Sequence, residues 1–380
     1  MRPPNDRGSM ATLIQKFRLL QGLLTGKTAF TGPFHVTVDV TRRCNLCCIG
    51  CRYHSPAVYK PSPGNHNITD ISRKMFSALC EELRSRNTRA LFLMGDGEPL
   101  LHHWISDLIT LAKEKGMHVT LITNGTLLDE RRIESFFGAG LDVLQVSLWA
   151  CSPEDYERQY PGSDSANFQK VIDSIRTLCR LKKERAKTRP LVRLHHPINR
   201  FSFRKISKMA DLALSTGCDG ISFSPLLFTQ GQLEEYVLSS GEKAELLCSL
   251  KTLAERLRSL PLEHNIARTL VRYDSYGESG TKMPCYAGWF HSRVRVDGTV
   301  SPCGPCNLIM GSLEEKSFSE IWNGTAYRAF RRQAMTAEGL SNLAGSCDCE
   351  HCCYAEDNLR VHKLFKPLAP LLFSRGPYAP

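Results

Sequence analysis

Cys44-Asn45-Leu46-Cys47-Cys48-Ile49-Gly50-Cys51 places four cysteines in eight residues. Thiols this dense do not pack as small hydrophobes, because they compete for metal or oxidise. Cys44, Cys48 and Cys51 form the spacing C-x3-C-x2-C, with Cys47 left over as a neighbour. Three thiolates are one fewer than a cubane iron–sulfur cluster requires. A metal with an unfilled position can take another ligand, as an open catalytic zinc takes water. The competing reading is a structural zinc knuckle, but zinc usually sits between paired C-x2-C hooks, and this run has only one.

Outward from this run the chain alternates regularly. Strand-like runs fall at residues 35–40, 90–93, 119–122, 143–147, 191–195 and 220–224. Helical periodicity falls at 72–86, 104–115, 129–139, 168–183 and 203–216. Thr69 or Asp70 can cap the first of these helices, and Gly116, Gly140 and Gly217 punctuate ends. Six strands separated by helices predict a parallel sheet with right-handed crossovers. Ligands of such sheets sit at the carboxyl ends of the strands. The cysteine run follows the first strand there, Gly95-Asp96-Gly97-Glu98-Pro99 the second and Thr123-Asn124-Gly125-Thr126 the third, while Ser147 ends the fourth. Small residues in the second segment let backbone approach a ligand closely.

The cysteine spacing, directly after a strand and followed by Gly95-Asp96-Gly97-Glu98-Pro99, resembles the radical S-adenosylmethionine (SAM) superfamily. That resemblance implies an α/β fold, a six-stranded (β/α)6 partial TIM barrel. It also implies a [4Fe–4S] cluster on Cys44, Cys48 and Cys51 whose free iron chelates SAM. An electron from the cluster cleaves SAM to methionine and a 5′-deoxyadenosyl radical, which abstracts hydrogen from a substrate. By the same resemblance Gly95, Asp96, Gly97 and Glu98 meet the SAM amino group, Asn124 lies in the T-N-G turn, Ser147 meets ribose and Arg193 pairs with the SAM carboxylate. One position departs from the family: Gly50 stands where an aromatic residue commonly lies near adenine, and Tyr53 is the substitute expected there.

The chain changes character after a helical stretch at 241–260. Residues 292–301 read as a β-hairpin with an Asp297-Gly298 turn. Cys285 precedes the hairpin, Cys303 and Cys306 follow it, and Cys347, Cys349, Cys352 and Cys353 come after Ile321-Trp322-Asn323. The order resembles the small Cys-rich C-terminal extension called SPASM, or its shorter twitch form, which implies one or two auxiliary [4Fe–4S] clusters. Cys285, Cys303, Cys349 and Cys352 supply one complete four-thiolate set. Cys306, Cys347 and Cys353 are the alternates, and fall short of a second set without a non-cysteine ligand, so one auxiliary cluster is expected. A zinc ribbon on the Cys303–Cys306 and Cys349–Cys352 hooks is the competing reading. Cys80, Cys179, Cys218 and Cys248 fall on apolar patterns and are expected in the core, and Cys151 as a buried neutral thiol. The expected organisation is an N-terminal segment and amphipathic helix (1–33), barrel (34–240), connector (241–284), auxiliary cluster domain (285–358) and tail (359–380).

Sixteen cysteines with no cleavable signal sequence suit a reducing compartment, so the expected location is cytoplasmic. Lys and Arg number 49 against 38 Asp and Glu. Residues 176–208 concentrate that excess, twelve bases against the single acid Glu184. The stretch reads either as a site for an anionic substrate or as a solvated face. No aromatic residues interleave it and no RNA-binding module is recognisable, which disfavours nucleic acid. Leu13, Ile14, Phe17, Leu20 and Leu24 give an amphipathic helix expected to pack on the core. With the apolar tail 364–373, it leaves peripheral membrane contact open.

The functional expectation is a radical SAM oxidoreductase or maturase whose auxiliary cluster accepts an electron or anchors substrate. Its partners are SAM, a reductant such as flavodoxin or ferredoxin, and an anionic small molecule or glycan precursor. The alternatives are a peptide or protein maturase of the ribosomal-peptide or sulfatase type, and a non-catalytic iron–sulfur electron carrier. Only about 35 residues precede the first strand, too few for a separate peptide-recognition domain.

Overall fold

Parallel strands form where alternation and crossover length demand them: β1 (His35–Asp39), β2 (Ala90–Met94), β3 (His118–Thr123), β4 (Val143–Ser147), β5 (Leu191–Ile198) and β6 (Gly220–Pro225). The structure is a computed structural model describing residues 10–55, 64–226, 234–274, 284–347, 349 and 352–365. The polar segment 1–9 and the tail 366–380 lie outside the described residues. The helices up to the last of these strands are α1 (Met10–Thr25), α2 (Arg73–Ser85), α3 (Ile105–Glu114), α4 (Glu130–Ala139), α5 (Pro153–Gln159), α6 (Ala166–Glu184) and α7 (Ile206–Ser215). Ser72, rather than Thr69 or Asp70, caps α2 by accepting from the Met75 amide. Asp70 is instead paired with Arg43. Gly140 ends α4 in the left-handed conformation (φ 73°), as its position predicts.

The sheet does not stop at six strands. Beyond α8 (Ser240–Leu257), β7 (Glu263–His264) adds parallel to β6 and leads into α9 (Ile266–Asp274) and α10 (Ala287–Phe290). On the other edge β8 (His291–Val294) pairs parallel with β1, and β9 (Thr299–Ser301) and β10 (Gly311–Ser312) continue antiparallel. Among the described residues the order is β10-β9-β8-β1-β2-β3-β4-β5-β6-β7, ten strands in one open sheet. The predicted hairpin therefore extends the barrel sheet instead of forming a separate one, because β1 offers a free row of backbone donors and acceptors. The chain ends in α11 (Phe318–Trp322), α12 (Thr325–Ala334), α13 (Ala337–Ser341) and α14 (Ala355–Phe365). Ile321-Trp322-Asn323 clamps the segment before β1: Trp322 Nε1 donates to Thr31 O, and Asn323 brackets the Ala29 backbone.

Strand register divides the sheet into two unlike faces. Val36, Val38, Leu91, Leu93, Val119, Leu121, Leu144, Val146, Val192, Leu194, Ile221 and Phe223 share one face and are buried in the core under the helices. The opposite face, the lumen of the partial barrel, carries the polar residues Thr37, Asp39, Thr120, Gln145, Ser147, Arg193, His195, Ser222 and Ser224, with Phe92, Met94, Ile122 and Val143 among them. Helices α9 and α14 close the open side. Asn265 brackets the Phe223 backbone of β6, and Arg268 of α9 pairs with Glu356 and Asp357 of α14.

Two expectations change on folding. Helix α1 buries Leu19 and Leu23, whereas Leu13 and Phe17 are 54% and 61% exposed, so the packed face is rotated from the one expected. The basic stretch is largely neutralised by acids from its own and neighbouring elements: Arg176 by Asp173, Arg180 by Glu184, Lys182 by Asp219, Arg185 by Glu134, Arg200 by Glu242, Arg204 by Glu245 and Lys205 by Asp155. It is an ion-paired surface, and the argument it supplied for an anionic substrate falls away. Among the described residues no helix is long and apolar enough to cross a membrane.

Candidate functional site

The cysteine run leaves the carboxyl end of β1 and is tied down on three sides. Glu98 N donates to Arg43 O, Asn45 Nδ2 donates to Thr126 Oγ1, and Ile49 N donates to Gln159 O at the end of α5. Inside the loop Cys51 N donates to Cys48 O at 3.0 Å. Cys44, Cys48 and Cys51 are half-buried, and Cys47 is exposed. Burial raises the Cys44 thiol to about 11 and the Cys48 thiol well above the usual range, with the neighbouring thiols adding to both shifts. Such thiols stay protonated until a metal displaces the proton. Three converging sulfur donors could hold three irons of a cubane cluster and leave one iron open.

Gly95 and Gly97 let their backbone approach this loop closely. A Cβ on Gly95 would lie 2.5 Å from Thr41 O, and one on Gly97 2.2 Å from Arg43 O. Glu98, 2% exposed, is also engaged within the protein. Its carboxylate accepts from Thr123 Oγ1 (2.5 Å), Asn124 N (2.7 Å) and Leu100 N (2.9 Å). Asn124 in turn donates to Asn45 Oδ1 and accepts from Thr126. Both side chains brace the loops around the expected SAM site. Glu98→Gln should weaken this brace and cost about 1–3 kcal/mol. The measurement is a lower urea midpoint together with weaker SAM binding; an unchanged midpoint would contradict the bracing role.

Asp96 has a different partner set. Arg293 Nη2 donates to Asp96 (2.7 Å), and Arg293 forms a two-pronged bond to Asp39 at 2.7 and 2.8 Å. Arg295, fully buried, lies 3.5 Å from Asp96 and 3.9 Å from Asp39. Two acids from the barrel and two arginines from the hairpin thus form a neutral buried quartet. Arg293 is held firmly protonated by Asp39 and Asp96 despite its burial. Tyr53 turns its ring toward Arg293, 5.9 Å from the guanidinium. Gly50 packs against Leu226, where a Cβ would lie 2.7 Å from Leu226 Cδ1. Tyr53 therefore faces the quartet, not the surface at which Gly50 leaves the expected aromatic missing.

Ser147 ends β4 at the lumen, where its hydroxyl accepts from Trp149 Nε1 (3.0 Å). Arg193 is placed elsewhere. It sits early in β5, level with Gly220 at the start of β6, and pairs with Glu263 of β7. It is away from the carboxyl ends of the strands, so its surroundings do not fit the SAM-carboxylate role expected for it.

The second cysteine set gathers behind β8 and β9. Burial pushes Cys303 well above the usual thiol range, with Cys353, Cys285, Cys352 and Cys349 each adding. Cys285 is raised for the same reasons, with Cys352 and Cys349 as its thiol neighbours. Asn358 Nδ2 reaches both Cys285 Sγ (4.0 Å) and Cys352 Sγ (3.7 Å). Cys285 and Cys352 thus flank one side chain, and Cys303, Cys349 and Cys353 lie in the same neighbourhood, from which four thiols could be drawn to hold a cluster. Cys306 and Cys347 are joined to each other as a disulfide across an antiparallel bridge. Cys353, the third alternate, is a free thiol. Cys248, expected in the core, is exposed. Among the described residues no three His, Cys, Asp or Glu side chains close on a single metal ion.

A feature that sequence reading missed links this set to the lumen. His291 Nδ1 donates to Pro302 O, and its Nε2 accepts from Tyr354 OH (2.6 Å) and Thr37 Oγ1 (3.1 Å). Arg52, next to Cys51, reaches Gly304 O and Asn307 Oδ1 just beyond Cys303. The two cysteine regions are thus mechanically joined. The legible signal was polar residues at alternate positions toward the ends of β4, β5 and β6 (Gln145, Ser147, Arg193, His195, Ser222, Ser224), a pattern that a sheet buried on both faces would not show.

Comparison with known proteins gives two family matches: the Radical SAM superfamily over residues 38–201 and SPASM, an iron–sulfur cluster-binding domain, over residues 285–353. PqqA peptide cyclase of Xanthomonas campestris pv. campestris is 24% identical over 339 residues, covering 86% of this chain and 84% of the relative. AdoMet-dependent heme synthase of Methanosarcina barkeri is 24% identical over 337 residues, covering 84% and 90%. Among solved structures, Streptococcus suis SuiB bound to S-adenosylmethionine superposes with a TM-score of 0.63 at 14% identity, covering 86% of this chain and 74% of that one. SuiB bound to its precursor peptide SuiA gives 0.62 at 14% identity, covering 94% and 80%. Native anSMEcpe with bound AdoMet gives 0.62 at 17% identity, covering 90% and 99%.

Proposed function

The chain belongs to the radical SAM superfamily and carries a SPASM iron–sulfur domain, and on that premise we propose that it is an enzyme acting on a peptide. When bound, the SAM-associated [4Fe–4S] cluster supplies the electron that splits SAM, and the resulting 5′-deoxyadenosyl radical takes hydrogen from the substrate. In this reading Cys44, Cys48 and Cys51 hold that cluster, and Cys285, Cys303, Cys349 and Cys352 hold one auxiliary cluster. Gly95 to Gly97 bring backbone to the SAM site, Glu98 and Asn124 brace it, and Ser147 offers a hydroxyl from β4.

The observation that carries the peptide reading is the polar lumen between the two cysteine regions. Thr120, Gln145, His195, Ser222 and Ser224 present hydrogen-bonding groups suited to amides. The names of the relatives point the same way: a peptide cyclase, and SuiB bound to a precursor peptide. The heme synthase relative favours a second reading, a porphyrin-like small molecule, but a polar lumen matches a broad apolar macrocycle poorly. The test is anaerobic incubation of reconstituted protein with SAM, dithionite and the short peptides encoded beside its gene. The expected product is a peptide lighter by two hydrogens: one leaves as 5′-deoxyadenosine, the other as a proton while its electron passes to the auxiliary site. A Cys349→Ala/Cys352→Ala variant should still form 5′-deoxyadenosine but release no modified peptide. Turnover of a tetrapyrrole with all peptides untouched would refute the peptide reading.

A further inference from the structure

One face of α1 holds the helix to the barrel, and the opposite face is bare. Gln15 Nε2 donates to Asn87 O (3.0 Å), and Leu19 and Leu23 are buried. Gly22 lies so close to Trp289 that a Cβ there would be 3.1 Å from the indole Cδ1. These contacts fix the rotation of the helix and turn Leu13, Ile14 and Phe17 to solvent, 54%, 46% and 61% exposed. At about 100° per residue, Leu13, Phe17 and Ile14 follow one another around the helix as one apolar strip. Leu20 and Leu24 prolong that strip, half-buried, toward the C-terminal end. Adjoining apolar side chains left in water mark an interaction surface, where a scattered single one does not.

The borders of the strip are cationic. By the same helical spacing Lys16 falls at one edge and Arg18 at the other, each between the exposed strip and the buried face. Both are exposed, and among the described residues neither has an ion-pair partner. No Asp or Glu occurs from Met10 to Thr25. The contrast with the basic stretch at 176–208, where acids neutralise the surface, gives this pair of free charges its meaning.

We propose that the outer strip of α1 is a docking surface for an anionic lipid bilayer. The helix lies along the membrane plane, with Leu13, Ile14 and Phe17 at the acyl boundary and Lys16 and Arg18 against headgroup phosphates. Long basic side chains at the edges keep their methylenes on apolar material while their charges reach the phosphates. Charge decides against the other occupants. A twofold contact between two copies would gather the cations of both strips around one seam, with no acid from either helix. Residues 366–380 of the same chain are apolar but add Lys366 and Arg375 and no acid.

Co-sedimentation of the anaerobically reconstituted protein tests this, using vesicles of phosphatidylcholine alone and of phosphatidylcholine with phosphatidylglycerol. Wild type should bind the anionic vesicles about tenfold or more tightly than the neutral ones, and about 0.5 M NaCl should remove most of that preference. Leu13→Ser/Phe17→Ser should weaken anionic binding by about tenfold or more. Lys16→Glu/Arg18→Glu should weaken it at least as much and abolish the preference. All four side chains face water, so iron content and denaturant midpoints should match wild type and separate lost docking from lost folding. Equal binding to the two vesicles, or binding that survives either double substitution, overturns the proposal. So does a wild type that stays off both vesicles. Sedimentation velocity then identifies a second copy as the occupant if Leu13→Ser/Phe17→Ser breaks a dimer, and deletion of 366–380 identifies the tail if it uncovers vesicle binding.

Discussion

Replacing Cys44, Cys48 and Cys51 together by alanine is expected to abolish 5′-deoxyadenosine formation and to lower the iron content of reconstituted protein from about eight to about four per chain. The expectation follows from two separate thiol sets. Cys44, Cys48 and Cys51 lie in one loop after β1, tied to Glu98, Thr126 and Gln159 by contacts that do not use their sulfurs. Removing the sulfurs leaves the loop's scaffold in place. The proposed auxiliary set of Cys285, Cys303, Cys349 and Cys352 is untouched by the substitution, so its iron should survive. Parallel iron counts on Cys349→Ala/Cys352→Ala should show the converse loss with cleavage retained. If the triple variant kept eight irons, or lost all of them, the division of thiols into these sets would be wrong. If wild type held about four irons plus zinc, the second set would be a zinc site.

Arg293→Met should be the most destabilising single substitution away from the cysteines, by about 3–5 kcal/mol. Arg293 is 7% exposed and serves Asp39 and Asp96, which are 0% and 3% exposed. Methionine fills similar space but leaves two buried carboxylates to Arg295, whose nearest approaches are only 3.5 and 3.9 Å. Burial pushes the Asp39 carboxyl up and Arg293 pulls it back, so losing the arginine leaves the desolvation cost unopposed. Asp39→Leu/Arg293→Met should recover much of the loss, because Asp96 and Arg295 then remain as a neutral pair. Denaturant midpoints of wild type, both single variants and the double measure the coupling. A double variant no more stable than Arg293→Met would show that the quartet is not the source. The same loss should lower SAM cleavage, since Asp96 lies between the two glycines that pack against the cysteine loop.

Some of the structure was legible because it rests on local chemistry. The spacing of Cys44, Cys48 and Cys51 needs only chain geometry. The six central strands needed only period-two alternation and the length of the crossovers. The order of the C-terminal cysteines around the hairpin and Ile321-Trp322-Asn323 carried the SPASM resemblance. In each case the information lies within one segment or in the order of like groups.

Other features depend on partners far apart in the chain. The basic run at 176–208 left an anion site and a solvated face both open because its neutralising acids, among them Glu134, Asp219, Glu242 and Glu245, lie outside the run. Glu98 reads as a ligand contact until Thr123 and Asn124 are seen to occupy its oxygens. Arg193 reads as a strand-end cation until register sets it beside Glu263. Cys306 and Cys347 count as spare thiols until an antiparallel bridge joins them. The hairpin reads as a separate small unit until its arginines meet Asp39 and Asp96 and β8 pairs with β1. By itself the sequence determined the cysteine chemistry, the central parallel sheet and the family. Tertiary structure alone decided which charges are paired, which strand edges are covered and which polar groups line the lumen. Charge pairing and edge pairing act through space, and no local spacing encodes the distance between residues two hundred positions apart.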